Sequence, residues 1–122
     1  MKLLTAAAAI AVCALQIVAA QTADAQSLTF RFRNDHRNVV NYELYANARR
    51  HVWPGGGQVY TLPDSGTHQT KIACNAGEKV CYGAWVKNSR RKEWGAGYGG
   101  KGGCRQCCYT CNGSETPVLV IN

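Results

Sequence analysis

The chain has 122 residues, and 14 lysines and arginines against 7 aspartates and glutamates give it a formal net charge of +7. This length excludes two full domains, and the positive charge favours acidic partners: nucleic acid, anionic lipid, lipopolysaccharide or another anionic polysaccharide. Solubility alone is the alternative explanation, because net charge bears on association and not on mechanism.

The N-terminal stretch has the pattern of a cleaved signal peptide. Lys2 is followed by an almost wholly apolar run, and Ala23-Asp24-Ala25 is a small-x-small cleavage pattern. We expect cleavage after Ala25, so that residues 1–25 are removed and residues 26–122 form one secreted or periplasmic domain. A membrane anchor is the alternative, since about 18 apolar residues is near the lower limit for a spanning helix. No later segment is long and apolar enough to span.

Apolar and polar residues alternate with period two along the mature chain, and this alternation predicts strands. The predicted strands cover residues 28–32, 40–45, 59–62, 68–74, 80–86, a short stretch from Trp94, and 117–121. We expect the first two to form a hairpin across a polar turn, and the first and last to pair near the centre of the core. The charged run Lys87–Lys92 and the glycine-rich run Gly95–Gly103 are predicted loops.

No helical stripe extends over ten residues, and turn signals recur at a spacing of about eight to twelve residues, which is typical of a small sandwich or barrel. The predicted fold class is therefore all-β: a small antiparallel β-sandwich or barrel, stabilised by disulfides. A chain of this size folds only marginally on its apolar core alone, so crosslinks would add usefully to its stability.

Six cysteines follow the leader, and an even number in an exported chain predicts disulfides. They are Cys74, Cys81, Cys104, Cys107, Cys108 and Cys111. A two-residue turn at Gly77-Glu78 would place Cys74 opposite Cys81, within bonding range. The last four cysteines would then pair as Cys104–Cys108 with Cys107–Cys111, or as Cys104–Cys107 with Cys108–Cys111. In the other solution, Cys74 and Cys81 both bond into the C-terminal cluster.

A metal site is the competing explanation of the cysteines. Structural zinc sites usually draw two Cys-x-x-Cys units from separated knuckles, whereas here the units abut. Histidines 36, 51 and 68 show no ligand spacing, so we expect no metal and no other cofactor. A redox-active Cys-x-x-Cys normally opens a helix, and none is predicted here.

Candidate binding residues are cationic and aromatic. Arg49 and Arg50 form one basic cluster, and Arg90, Arg91 and Lys92 form another; they make a single patch only if both predicted loops emerge at the same end of the fold. Trp94, Tyr98 and Lys101 border the glycine-rich loop, where rings could stack on sugars or bases while cations meet acidic groups. The alternative is a structural role for the aromatic residues, which the strand pattern favours for Trp85.

The residues available for catalysis are few, and no catalytic residue is predicted. A nucleophilic triad needs a histidine supported by a carboxylate, and the mature chain has only two aspartates, Asp35 and Asp64. The leading hypothesis is a non-enzymatic binding or interaction module that engages an anionic surface or polymer. A cationic effector, toxin or antimicrobial protein is one alternative. A small basic nuclease-like hydrolase using two of the three histidines is the other.

Overall fold

Nine strands in two sheets make up the computed structural model, which describes residues 25–122. The strands are β1 (Ala25–Asn34), β2 (Val40–Ala46), β3 (Val52–Trp53), β4 (Tyr60–Leu62), β5 (Thr67–Asn75), β6 (Lys79–Val86), β7 (Ser89–Gly95), β8 (Cys108–Thr110) and β9 (Glu115–Ile121). In this part of the chain the one helical element is a 3-10 turn, Tyr98–Gly100, and no helix has the length and apolar character to cross a membrane. The predicted all-β class is confirmed; the predicted leader lies, but for its last residue, outside the described residues.

The sheets differ in size and in strand direction. In the three-stranded sheet, β1 lies between β5 and β9, antiparallel to the first and parallel to the second. In the six-stranded sheet, β2 and β6 pair centrally; β3 and β4 share the free edge of β2, and β7 and β8 share that of β6. The pairing of the first and last predicted strands is confirmed, and among residues 25–122 it is the one parallel pair, all others being antiparallel.

The main core lies between the two sheets. Phe30 and Phe32 on β1 are fully buried, as is Leu44 on β2. The rings of Phe32 and Tyr42 lie 4.4 Å apart, so the sheets meet through aromatic contact. Burying a side chain of this kind stabilises the fold by about 1.5–3 kcal/mol. The alternation in the sequence therefore predicts which face of β1 and β2 is buried.

The predicted hairpin between the first two strands is wrong, because β1 and β2 belong to different sheets. The polar turn is a corner between sheets, organised by Asn34, which is 2% exposed. Its Nδ2 donates to the carbonyl oxygens of Asn38 (3.0 Å) and Leu62 (3.2 Å), and its Oδ1 accepts from the amide of His36. Alternation specifies the buried face of a strand but not its neighbour.

Two tryptophan side chains link the sheets at opposite edges. Nε1 of Trp53 on β3 donates to the carbonyl oxygen of Ala73 on β5 at 3.1 Å. Nε1 of Trp94 on β7 donates to the carbonyl oxygen of Asn122, just after β9, at 2.9 Å. Each indole N–H therefore has a hydrogen-bond acceptor on the other sheet or next to it, and each ring closes one side of the sandwich.

The charged run Lys87–Lys92 was predicted to be a loop, and this is wrong for most of it. Only Lys87 and Asn88 form the turn; from Ser89 the run belongs to β7. Asn88 has a φ of 67°, a left-handed conformation that asparagine tolerates better than most residues. Edge strands are often highly charged, and β7 lies at an edge of its sheet, so the charges did not distinguish strand from loop.

Three disulfides join Cys74 to Cys111, Cys81 to Cys108, and Cys104 to Cys107. The predicted Cys74–Cys81 bond is therefore wrong, and the solution that sends both cysteines into the C-terminal cluster is confirmed. The amide of Glu78 donates to the carbonyl oxygen of Asn75, so the turn centres on residues 76–77 and joins strands of different sheets. With a separation of 37 residues, the Cys74–Cys111 bond stabilises the fold by about 4 kcal/mol in the chain-entropy model.

Candidate functional site

The glycine loop, residues 95–103, covers the outer face of the six-stranded sheet. A Cβ atom built on Gly83 of β6 would lie 2.1 Å from the carbonyl oxygen of Gly97, and one built on Gly100 would lie 3.1 Å from Cγ of Tyr45. The loop backbone is also held by a hydrogen bond from the amide of Ala96 to the carbonyl oxygen of Tyr82. Because glycine has no side chain, the backbone of the loop can lie directly against the six-stranded sheet.

Beneath one side of this loop, Trp85, Tyr98 and Arg90 form a stack. Trp85 is only 5% exposed, so its predicted burial is confirmed, although it lies outside the main core. Its ring meets that of Tyr98 edge-on at 5.0 Å, and Cζ of Arg90 lies 3.5 Å from the centroid of Tyr98. Tyr98 remains 39% exposed. These three residues, with Asn88 and Ser89, line an open cavity of about 370 Å³.

Trp94 makes several structural contacts. It packs against the main core, and its indole donates to the carbonyl oxygen of Asn122. The ring of His36 meets it at 5.3 Å, and Nζ of Lys92 lies 5.7 Å from its centroid. These contacts fit the structural explanation of Trp94 better than a free stacking surface.

The two predicted basic clusters lie at opposite ends of the six-stranded sheet. Arg49 and Arg50 follow the last residue of β2, whereas the β6–β7 turn lies beside its first residue. β2 has seven residues and rises about 3.3 Å per residue, so its two ends lie roughly 20 Å apart. Lys101 is exposed and follows Gly100, which packs near the Arg49 end. The clusters are therefore not one patch.

Arg49 is engaged within the protein. Its Nη2 donates to Oε2 of Glu78 at 3.1 Å, and its Cζ lies 5.6 Å from the ring centroid of Trp53. The side chain of Glu78 is only 8% exposed and also accepts from the amide of Asn75. The hydrogen bond from Arg49 holds the pKa of Glu78 below its usual value. Arg49 therefore stabilises two turns of the protein. Arg50 is the cation at this end that is more available to bind a ligand.

The opposite end gathers five exposed cations, which we call the cationic end. The amide of Lys87 donates to the carbonyl oxygen of Val39 at 2.9 Å, so the corner after β1 lies beside the β6–β7 turn. Between residues 25 and 122, none of the five has a carboxylate oxygen within 4.0 Å. The cationic end consists of Arg37, Lys87, Arg90, Arg91 and Lys92. Arg37 and Lys87 were not predicted, because only the folded topology brings their turns together.

Comparison of the chain with protein-family models, with curated proteins and with solved structures gives no match. The function therefore has to be argued from these side chains.

Two carboxyl groups on the outer face of the same sheet are kept apart by the glycine loop. Glu43 lies opposite Gly83 in the ladder, and burial raises its pKa. Oε1 of Glu93 accepts from the amide of Tyr98 at 3.3 Å. The carbonyl oxygen of Gly97 fills the space directly above Gly83. Burial also raises the pKa of neighbouring Tyr45 to about 12.

Each histidine has its own local partner. The ring of His36 meets Trp94, and that of His51 meets Trp53 at 4.5 Å. Nε2 of His68 lies 2.8 Å from Oδ1 of Asp64. His51 follows β2, whereas His36 precedes it, so these two histidines lie at opposite ends of that strand.

Sulfur atoms cluster on the other side of the glycine loop. The Sγ atoms of Cys81, Cys107 and Cys108 all lie within 4.8 Å of one another, the one such group of potential metal ligands among the described residues. Cys81 and Cys108 are bonded to each other and Cys107 to Cys104, so these cysteines offer no thiolate in the oxidised protein. Disulfides of this number are typical of proteins in oxidising compartments.

Proposed function

We propose that the protein is a secreted or periplasmic, non-enzymatic binding module that engages an anionic polymer or anionic cell surface through the cationic end. The observation that carries this proposal is the convergence of five exposed cations from two turns and the start of β7, none of them paired with a carboxylate in residues 25–122. Unpaired cations are free to exchange their counterions for phosphate, sulfate or carboxylate groups.

The stack beside the cationic end adds geometric definition to the proposal. The guanidinium of Arg90 lies over the ring of Tyr98, and both residues line the cavity of about 370 Å³. A guanidinium fixed in this way presents a planar fork of donors that matches the oxygens of phosphate, sulfate or carboxylate groups. Exposed Tyr98 offers an apolar surface for a sugar or base in the same ligand.

The first experiment measures salt-dependent retention of the protein on heparin and its affinity for duplex DNA. In the double variant Arg90→Ala/Arg91→Ala we expect elution at lower salt. On DNA, the slope of log affinity against log salt should fall by about 0.9 for each lost phosphate contact. The matched control is Arg50→Ala/Lys71→Ala, which removes the same charge from exposed positions elsewhere. Equal losses in both variants would show that net charge alone drives binding.

The ligand class is resolved by comparing heparin, lipopolysaccharide, duplex DNA and vesicles that contain anionic lipid. Circular dichroism and thermal unfolding must first show that both double variants keep the wild-type fold. Leakage of dye from anionic vesicles would favour a membrane-active effector, and degradation of RNA that is lost in His→Ala variants would favour a nuclease. Tight binding that is insensitive to salt would contradict an electrostatic site.

A further inference from the structure

Four cysteines of two different disulfides line a single cavity. The cavity has a volume of about 370 Å³, and its walls include Cys81, Cys104, Cys107 and Cys108. Cys107 is only 1% exposed, and its Sγ lies within 4.8 Å of the Sγ atoms of both Cys81 and Cys108, which form the neighbouring bond. A thiolate formed on Cys107 would therefore have a second disulfide within reach after a small shift.

The two sulfurs of the Cys104–Cys107 bond differ in accessibility. Cys104 is half-buried, whereas Cys107 is almost fully buried. Both border a second, open cavity of about 590 Å³, whose walls also include Arg105 and Gln106. The adjacent Gly103 has no atom within 4 Å of its Cβ position, so the backbone there is uncrowded. An external thiolate can approach Cys104, and Arg105 would favour its negative charge. Attack on the outer sulfur expels a thiolate on the inner one.

We propose that Cys104–Cys107 and Cys81–Cys108 form a thiol–disulfide exchange site for small anionic thiols of the glutathione type. The incoming thiolate bonds to Sγ of Cys104, and the Cys104–Cys107 bond breaks with its electron pair leaving on Cys107. The Cys107 thiolate then attacks Sγ of Cys81, so a Cys81–Cys107 bond forms and Cys108 leaves as a thiolate.

The exchange reaction is completed without an added oxidant. The Cys108 thiolate can attack Cys104 in the mixed disulfide, which forms a Cys104–Cys108 bond and releases the original thiol. The net result is an exchange between two pairings, catalysed by the thiol, with no change in the total number of disulfides. No helix is needed to activate the internal nucleophile, because cleavage of the Cys104–Cys107 bond releases Cys107 directly as a thiolate.

The test treats the oxidised full chain with reduced glutathione, quenches with acid, alkylates free thiols and maps the bonds by peptide mass spectrometry. We expect glutathione first on Cys104, then alkylation of Cys108 together with a Cys81–Cys107 bond, while Cys74–Cys111 stays intact. An adduct that appears first on Cys81 or Cys108, or no adduct under conditions that open an exposed reference disulfide, would overturn the proposal.

A matched variant distinguishes intramolecular attack by Cys107 from direct attack by glutathione on the Cys81–Cys108 bond. Cys104→Ser/Cys107→Ser retains the Cys81–Cys108 bond but lacks the internal nucleophile. Glutathione should open that bond at least about tenfold more slowly in the variant than in the wild type, because an intramolecular step is lost. Equal rates of opening in the variant and the wild type would contradict intramolecular attack by Cys107. If the variant does not fold, the order of adducts in the wild-type protein decides alone.

Discussion

Substitution of Gly83 by alanine tests how tightly the glycine loop is docked. The new Cβ would lie 2.1 Å from the carbonyl oxygen of Gly97 and 2.9 Å from Cε2 of Tyr45. Since ordinary contacts begin near 3.4 Å, the carbonyl oxygen has to retreat by about 1.3 Å. Overpacking of this kind typically costs about 1–3 kcal/mol, and about 1 kcal/mol lowers the melting temperature of a domain of this size by roughly 4–8 °C.

The assay combines thermal unfolding with hydrogen exchange of peptides from the glycine loop. The matched control is Gly103→Ala in the same loop, because its Cβ position has no atom within 4 Å and neither glycine requires a left-handed backbone. We expect Gly83→Ala to melt several degrees below the control and to exchange faster in the loop. Indistinguishable melting temperatures and exchange rates in the two variants would refute the close docking of loop and sheet.

Two further substitutions test the turns. Glu78→Gln should cost on the order of 1 kcal/mol near pH 7, because it weakens a charged acceptor. Arg49 lowers the folded-state pKa of Glu78, so this stabilisation is complete above the unfolded pKa of about 4.3 and is lost as pH falls through the folded value. In urea unfolding, the difference in stability between the variant and the wild type should therefore shrink in acid. A difference that does not change with pH would exclude the ion pair. Asn34→Ala should cost about 1–3 kcal/mol, because the carbonyl oxygen of Leu62 loses its buried donor. Exposed Asn38→Ala is the control, and equal denaturant midpoints would show that the corner does not depend on the amide.

The sequence predicted strand identity well, because alternation is a local property. Residues 28–32 and 40–45 were assigned from alternation, and both fall within observed strands. Partner choice is not local. Asn34 carries no signal that distinguishes a hairpin turn from a corner between sheets, so the first two strands were paired wrongly. The Cys74–Cys81 prediction failed for a related reason: it assumed that consecutive strands share a sheet.

In the candidate site, too, the residue types could be predicted from the sequence, whereas their contacts with residues distant in sequence could not. Arg90 and Tyr98 were both predicted as binding residues, but their stacking depends on how the glycine loop folds back over β6. Arg37 was missed because it is far in sequence from the β6–β7 turn and reaches it only through the corner after β1. Charge and residue type were visible in the sequence, whereas their convergence required the topology.

The position of β1 between β5 and β9 has a consequence for the order of folding. The amide of Arg31 donates to Oγ1 of Thr116, across a separation of 85 residues. β1 therefore completes its hydrogen bonding only after β9, which follows it by more than 80 residues, has been synthesised. Contacts that distant are typical of slow folding, since a large loop must close before they form. Until then Leu28 and Phe30 lack their full cover, so a nascent or C-terminally shortened chain would be prone to self-association.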